Sequence, residues 1–386
     1  MFERWLKIDT TKSGLIIGPR RSGKTTLLKM RFPEHNYITL DNLDYLNWAI
    51  RDAKGLVDHL GPKTIIDEIQ RKPELTIAVK NAIDNQNAHI LMTGSSSVGL
   101  LGSMTDTLAG RIKIYSLPTA CWGEHIGPPS HKLFEINKNQ IRLQQGQRSL
   151  SGILKYGSFP EILMQENPED KKDLLQNYRD TYFTRDLMQL SNMENMEGLL
   201  AIFHHLARSI GSHLEVSNFA REAGLSHPTT KKYLNNMHYS QLTFRLYGYQ
   251  FGPAKRFIKA AKTYYSDNGI LTSLNIPLSG GQTLENLVIS EFEKRRKLGF
   301  MKCDRLYYYK SAAGREIDLI FENGDEVYAI EIKNTLRPSS RDVSNLVEFS
   351  KSMKKKVKMF LFYPGEEYGY IKEVKIMPVA SLYRGR

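Results

Sequence analysis

The sequence predicts a multidomain α/β protein, and three observations carry that expectation. An apolar run, Leu15-Ile16-Ile17, meets the glycine-bearing loop Gly18-Pro19-Arg20-Arg21-Ser22-Gly23-Lys24-Thr25, and Thr26-Leu27-Leu28-Lys29-Met30 continues as a helix. Strand-like and helix-like runs then alternate as far as Leu117, the pattern of a parallel sheet covered on both faces. Towards the other end a helix, three strands, a helix and a strand follow one another between Thr283 and Tyr363. The 386 residues leave room for roughly two or three domains. A hydrophobic content of 41% and a charged content of 25% are ordinary for a folded chain.

The first loop fits G-x-x-x-x-G-K-[ST], in which glycines let successive backbone N–H groups face a polyphosphate and the helix N-terminus adds its positive end. Gly18, Arg21, Ser22, Gly23, Lys24, Thr25 and Thr26 are therefore candidate nucleotide contacts. Lys24 would neutralise the β- and γ-phosphates of ATP, and Thr25 would place its hydroxyl on Mg²⁺. Tyr37 to Asp41 reads as a second strand and Tyr45 to His59 as a helix. Lys63-Thr64-Ile65-Ile66-Asp67-Glu68 is a strand ending in two carboxylates, the place for Asp67 to hold the Mg²⁺ shell and for Glu68 to orient the attacking water. The strand His89 to Thr93 runs into Gly94-Ser95-Ser96-Ser97, where Ser95 or Thr93 would sense the γ-phosphate. Leu108-Ala109-Gly110-Arg111 then precedes a strand from Ile112 to Leu117.

That order of motifs resembles the AAA+ ATPase domain, and more closely the prokaryotic ATPases that carry a C-terminal domain of undefined function. The resemblance implies that Arg111 reaches a γ-phosphate held by a neighbouring subunit in a homo-oligomer, with a simple surface ion pair as the alternative for this arginine. No sensor arginine from a helical lid is recognisable in the sequence.

Gly127-Pro128-Pro129-Ser130-His131 breaks the periodicity, and the polar stretch Asn137 to Ser151 has few apolar anchors, so a boundary is expected there. Glu169 to Leu190 reads as one amphipathic helix with Leu174, Tyr178, Tyr182, Leu187 and Leu190 broadly on one side. Within it, Tyr182-Phe183-Thr184-Arg185-Asp186-Leu187 is similar to a segment of the same ATPase family. Ala201–Ile210, Val216–Ala223 and Thr229–Met237 read as three short helices that look like a winged helix-turn-helix. Its third helix would bring Lys231, Lys232, Asn235 and Asn236 to a major groove, although Thr230 stands where a β-branched apolar anchor is usual.

Near the C-terminus, Glu316-Ile317-Asp318-Leu319-Ile320-Phe321, the turn Asn323-Gly324-Asp325 and Val327 to Lys333 form a hairpin. Glu331 and Lys333 are two apart on one strand and share a face, with Asp318 on the paired strand. Glu285 lies on the helix Thr283 to Leu298, ahead of a strand from Arg305 to Tyr309, and a helix Arg341 to Met353 and a strand Val357 to Tyr363 follow. The set resembles the PD-(D/E)xK nuclease core. Asp318, Glu331 and Glu285 would hold Mg²⁺ at the scissile phosphate, and Lys333 would stabilise charge beside the attacking water. Arg315, Tyr307, Tyr308, Tyr309 and the run Lys294-Arg295-Arg296-Lys297 are candidate contacts to the substrate. In the resembling family Tyr264-Tyr265-Ser266-Asp267-Asn268-Gly269 introduces this domain.

The expected division is an ATPase domain over 1–126, a helical linker or lid over 127–196, a winged-helix-like segment over 197–263 and a nuclease-like domain over 264–386. A net charge of +13 favours an anionic partner, nucleic acid or acidic membrane whatever the fold; with the nuclease-like resemblance the expected partner is nucleic acid, DNA before RNA. Cys121 and Cys303 have neither disulfide-framework nor zinc spacing. No apolar run is long enough to span a bilayer and the N-terminus is not signal-like, so a cytoplasmic chain without membrane contact is expected. The expected activity is a Mg²⁺-dependent ATPase coupled to a nuclease-like domain acting on nucleic acid. The alternative is an ATP-gated DNA- or protein-binding regulator whose nuclease-like domain is a scaffold.

Overall fold

A computed structural model describes residues 2–95, 107–129, 132–136, 139–183, 195–250 and 261–383. Ser96, Ser97, Ser130, His131, Asn137, Thr184, Arg185, Asp186, Leu187 and Leu190 lie outside them. The chain divides into two compact units, one of Leu6–Thr119 with Tyr239–Gln241, the other of Met1–Trp5, Ala120–His238 and Leu242–Arg386.

The smaller unit is built on five parallel strands in the order β2-β3-β4-β1-β5. They are β1 (Gly14–Ile17), β2 (Asn36–Thr39), β3 (Lys63–Asp67), β4 (His89–Gly94) and β5 (Lys113–Ser116). The central strands bury both faces, which is why they read as continuous apolar runs. Leu15, Ile38, Ile66, Ile90 and Met92 pack with Leu56 and Val79 of the covering helices. Those helices are α1 (Lys24–Arg31), α2 (Leu43–Arg51), α3 (Ala53–Leu60) and α4 (Leu75–Gln86). The single helix expected over 45–59 is broken at Asp52, whose carboxylate caps α3 by accepting from the Gly55 N–H at 2.8 Å. Because β4 lies between β1 and β3, its C-terminal end sits between the phosphate loop and the carboxylates that close β3.

The larger unit combines helices with an eight-stranded mixed sheet ordered β12-β13-β11-β10-β9-β8-β6-β7. Its strands are β6 (Thr243–Gly248), β7 (Lys262–Tyr265), β8 (Tyr307–Lys310), β9 (Glu316–Asn323), β10 (Glu326–Ile332), β11 (Lys356–Tyr363), β12 (Gly369–Ile371) and β13 (Val374–Pro378). The boundary expected in the polar stretch 137–151 is instead a helix, Gln140–Tyr156, started by the Asn139 side chain and burying Leu150, Ile153 and Tyr156. Gly146 is a required small residue there, since a Cβ would lie 2.8 Å from the Ala380 carbonyl oxygen. The helix expected over 169–190 runs from Pro168 to Tyr178 and passes into a π-helical turn, Arg179–Phe183.

Three helices, Met196–Arg208, Val216–Ala223 and His227–Tyr239, precede the antiparallel hairpin β6–β7. A division at residue 263 does not separate folded bodies, because β6 also pairs with β8. Trp122, Leu150, Leu199, Phe244, Phe292 and Leu319 share one core, so Ala120–His238 group with the C-terminal sheet in one unit. Within that sheet the helix Gly280–Lys297, antiparallel β8, β9 and β10, the helix Ser344–Ser352 and β11 parallel to β10 follow in the expected order.

Candidate functional site

Two groups of polar side chains converge, one in each unit. In the smaller unit the loop after β1 is held tight by sterics: a Cβ on Gly18 would sit 2.1 Å from the Leu117 carbonyl oxygen. Arg21 (φ 60°) and Gly23 (φ 88°) adopt left-handed backbone that curls the loop into the first turn of α1. Lys24 is buried and donates to the carbonyls of Gly18 at 2.9 Å and Pro19 at 3.0 Å. Thr25 donates to both Asp67 oxygens, at 3.0 and 2.9 Å. Thr93 also donates to Asp67 Oδ1, and the Tyr37 hydroxyl donates to Oδ2 at 2.9 Å.

Glu68 follows in left-handed backbone at φ 58°. Its carboxylate accepts from Gln70 and from Ser95 Oγ at 3.3 Å, and Gln70 also donates to Ser95 Oγ at 2.9 Å. The structure thus brings together Gly18, Arg21, Ser22, Gly23, Lys24, Thr25, Asp67, Glu68 and Ser95, with Thr26 exposed on the first turn of α1. Tyr37 and Gln70 were missed. Nothing in their local spacing singles them out, since Tyr37 meets Asp67 only through the pairing of β2 with β3.

Arg111 is elsewhere. It precedes β5, whose Lys113 pairs with Gly14 at the start of β1, whereas the phosphate loop leaves the other end of β1. Its Nε donates to Asp84 Oδ1 of α4 at 2.7 Å. Arg111 therefore does not meet its own chain's phosphate loop, and its observed contact is a surface ion pair with Asp84.

In the larger unit β9 and β10 pair so that Leu319 faces Ile330, and the register brings Asp318 beside Glu331. Asp318 Oδ2 accepts from the Ile332 N–H at 2.8 Å, and Lys333 donates to Glu331 Oε1 at 2.6 Å. Glu285 accepts from the Tyr264 hydroxyl at 2.8 Å, and Lys262 pairs with Glu316. The second Glu331 oxygen is buried with no hydrogen-bond partner among the described residues. Burial, and then the Asp318 charge, push Glu285 up to about 7 and Glu331 up to about 8. Burial raises Asp318 too, against the pull of Lys333. Burial alone would lower Lys333, but Glu331 and Asp318 outweigh it and hold the ammonium charged.

The expected three-carboxylate ligand set is not formed. Among the described residues no three His, Cys, Asp or Glu side chains lie close enough to hold a metal ion. Tyr264 engages Glu285 and Lys333 engages Glu331 in this arrangement. Asp318 and Glu331 alone fit Mg²⁺, a cation that commonly takes one or two carboxylates and keeps several waters. The unpartnered Glu331 oxygen is the atom on which such an ion, or in its absence the proton that the raised pKa retains, would sit.

A folded-state carboxyl with a raised pKa binds a proton that the unfolded chain has released. Glu331 therefore contributes stability that is lost as pH rises from about 4.5 through about 8. In metal-free protein the urea midpoint of the larger unit should fall across that window, and Glu331→Gln should flatten the fall. An identical slope in the variant would show that Glu331 ionises normally.

Several expected substrate contacts are structural instead. Lys294 is buried against Asp267 (3.1 Å) and Ser158 Oγ (2.6 Å). Arg295 pairs with Glu291 and donates to the Leu382 carbonyl at 2.6 Å, while Arg296 binds Glu293 at 2.7 Å. Lys297 lies 3.9 Å from the same glutamate. Tyr307 and Tyr308 are buried in the sheet, and Tyr309 packs on Phe349. The sequence shows this basic run but not that acidic partners on the same and neighbouring segments consume it. Arg315 remains exposed, 3.6 Å from Glu348.

On the helix His227–Tyr239, Lys231 and Lys232 are exposed. Asn236 is buried and Asn235 accepts from Arg245 at 2.9 Å, which withdraws both from any groove. Thr230 fills the apolar anchor position, buried, with its hydroxyl satisfied by the Ser226 carbonyl at 3.0 Å.

Comparison with known proteins agrees with the first of these centres. Residues 10–126 match an AAA domain, 147–280 match a domain of unknown function (DUF8612), and 280–382 match another (DUF4143). The uncharacterized protein MJ1544 of Methanocaldococcus jannaschii is 26% identical over 344 residues, 84% of this chain and 76% of that protein. The uncharacterized protein Rv2008c of Mycobacterium tuberculosis is 25% identical over 368 residues, 91% of this chain and 76% of that one. Among solved structures, protein VC1899 from Vibrio cholerae matches over 96% of this chain and 95% of its own at 11% identity, with a TM-score of 0.22. The matches support an AAA-type ATPase with domains of unknown function, on a mixed α/β chain whose N-terminal parallel sheet is consistent with a phosphate-loop AAA domain. An AAA domain implies use of ATP, usually with Mg²⁺. No helix among the described residues is long and apolar enough to cross a membrane.

Proposed function

We propose that the chain is a Mg²⁺-dependent AAA+ ATPase coupled to a PD-(D/E)xK-like centre that acts on nucleic acid, DNA before RNA. The observation that carries the coupling is the meeting of Asp318, Glu331 and Lys333 around a buried carboxylate oxygen that has no partner. In the smaller unit the convergence of Thr25 and Asp67 supports a hydroxyl and a carboxylate serving one Mg²⁺. At both centres bound Mg²⁺ would supply Lewis-acid stabilisation of charge on phosphate oxygens.

The chain's own groups do the rest. Lys24 exchanges the Gly18 and Pro19 carbonyls for the β- and γ-phosphates, and the loop N–H groups hold the same anion. Glu68 leaves Gln70 and Ser95 to orient the water that attacks the γ-phosphate. In the larger unit Lys333 puts its charge beside the scissile phosphate, where water adds and a P–O bond breaks. The three helices and hairpin over 196–265 suit a winged helix-turn-helix, with Lys231 and Lys232 making backbone contacts to DNA of low sequence content.

Arg111 completes the ATPase centre of a neighbouring subunit in this reading, at the cost of its contact with Asp84. Mixing equal amounts of inactive Lys24→Ala and Arg111→Ala chains should restore part of the ATPase activity. No recovery in mixtures shown to exchange subunits would count against a shared centre.

One observation favours a second reading, an ATP-gated regulator with a non-catalytic scaffold: the larger unit's carboxylates do not form a three-ligand group among the described residues. A divalent-metal-dependent cleavage assay separates the two.

A further inference from the structure

We propose that Tyr37 is a positioning residue of the ATPase centre, its hydroxyl fixing the Asp67 carboxylate and Lys29 fixing the tyrosine in turn. The inference rests on the reading of Asp67 as the carboxylate that serves Mg²⁺. In parallel β2 and β3, Thr39 pairs with Asp67 and Tyr37 with Ile65, so Tyr37 is the diagonal neighbour on the Asp67 face. From there its hydroxyl reaches Asp67 Oδ2 at 2.9 Å. The Lys29 ammonium, from α1, stands 3.4 Å from the centre of the Tyr37 ring, a contact that pins the ring and strengthens its hydroxyl as a donor.

Asp67 has three hydroxyl partners, and they are not equivalent. Thr25 is the one expected to turn away towards the metal, since it lies in the first turn of the helix that follows the phosphate loop. Thr93 then remains on Oδ1 and Tyr37 on Oδ2, one fixed donor for each carboxylate oxygen. Groups that orient a metal-binding carboxylate commonly contribute roughly 10- to 100-fold to metal affinity.

The test is binding of a fluorescent ATP analogue to the full chain, titrated with and without Mg²⁺, in wild type and in Tyr37→Phe, Lys29→Met and Asp67→Asn. Tyr37→Phe keeps the ring and loses only the hydroxyl. It should raise the Mg²⁺ concentration for half-maximal effect by roughly 10-fold or more, with metal-free nucleotide affinity unchanged. Lys29→Met should shift it in the same direction by less. A wild-type Mg²⁺ response in Tyr37→Phe, with that of Asp67→Asn lost, would overturn the positioning role alone. An equal fall in affinity with and without Mg²⁺ would mark Tyr37 as merely structural and overturn it too. If Asp67→Asn itself responded as wild type, the assignment of Asp67 would fail and this inference with it.

Discussion

Lys24→Ala should abolish measurable ATP hydrolysis, lowering kcat/KM by at least about 100-fold, and weaken nucleotide binding as well. The side chain is buried and rests on two loop carbonyls, so it is a preformed cation at the mouth of the phosphate loop. Glu68→Gln should behave differently. Glutamine keeps the shape and the contacts with Gln70 and Ser95 but cannot take a proton, so nucleotide should bind while turnover falls roughly 100-fold or more. Equilibrium binding and single-turnover hydrolysis together check both. Wild-type hydrolysis by the Glu68 variant would remove it as the group that orients water.

Asp318→Asn and Lys333→Ala should likewise part company in metal binding. Losing the Asp318 charge removes a ligand, and Mn²⁺ affinity at the larger unit should fall by more than about 100-fold, beyond what loss of an orienting group alone costs. Lys333→Ala frees Glu331 Oε1 from its ion pair and leaves both carboxylates in place, so Mn²⁺ binding should persist. Calorimetric titration of the full chain distinguishes them. ATP hydrolysis should remain measurable in both variants, because the two centres lie in different compact units. Equal Mn²⁺ affinity in wild type and Asp318→Asn would exclude Asp318 as a ligand.

How much was legible in the sequence follows from how local each signal is. The phosphate loop, Asp67 and the order of strands were readable because each strand is a short apolar run between turns, and the loop glycines answer a steric demand. The break at Asp52 was hidden, since the apolar period carries on through a residue whose side chain caps the next helix. Tyr37 was invisible because its partner is 30 residues away and met only through strand pairing. The basic run Lys294–Lys297 misled for the opposite reason: a charge run looks solvated, yet this one is neutralised by Glu291, Glu293 and Asp267 inside the core. The hairpin bearing Asp318, Glu331 and Lys333 was legible through its alternation and its turn, but the contact of Glu285 with Tyr264 was not, because it is made between residues 21 apart that meet only in the folded sheet and helix.

The central claim, that this ATPase chain also carries a phosphodiester-cutting centre, is tested most directly by incubating the full chain with single- and double-stranded DNA and RNA in Mn²⁺ or Mg²⁺. The account predicts metal-dependent cleavage that is lost in Asp318→Asn, Glu331→Gln and Lys333→Ala and that prefers DNA. Absence of cleavage of every substrate, together with no divalent ion bound at Asp318 and Glu331, would contradict it and leave the larger unit as a scaffold.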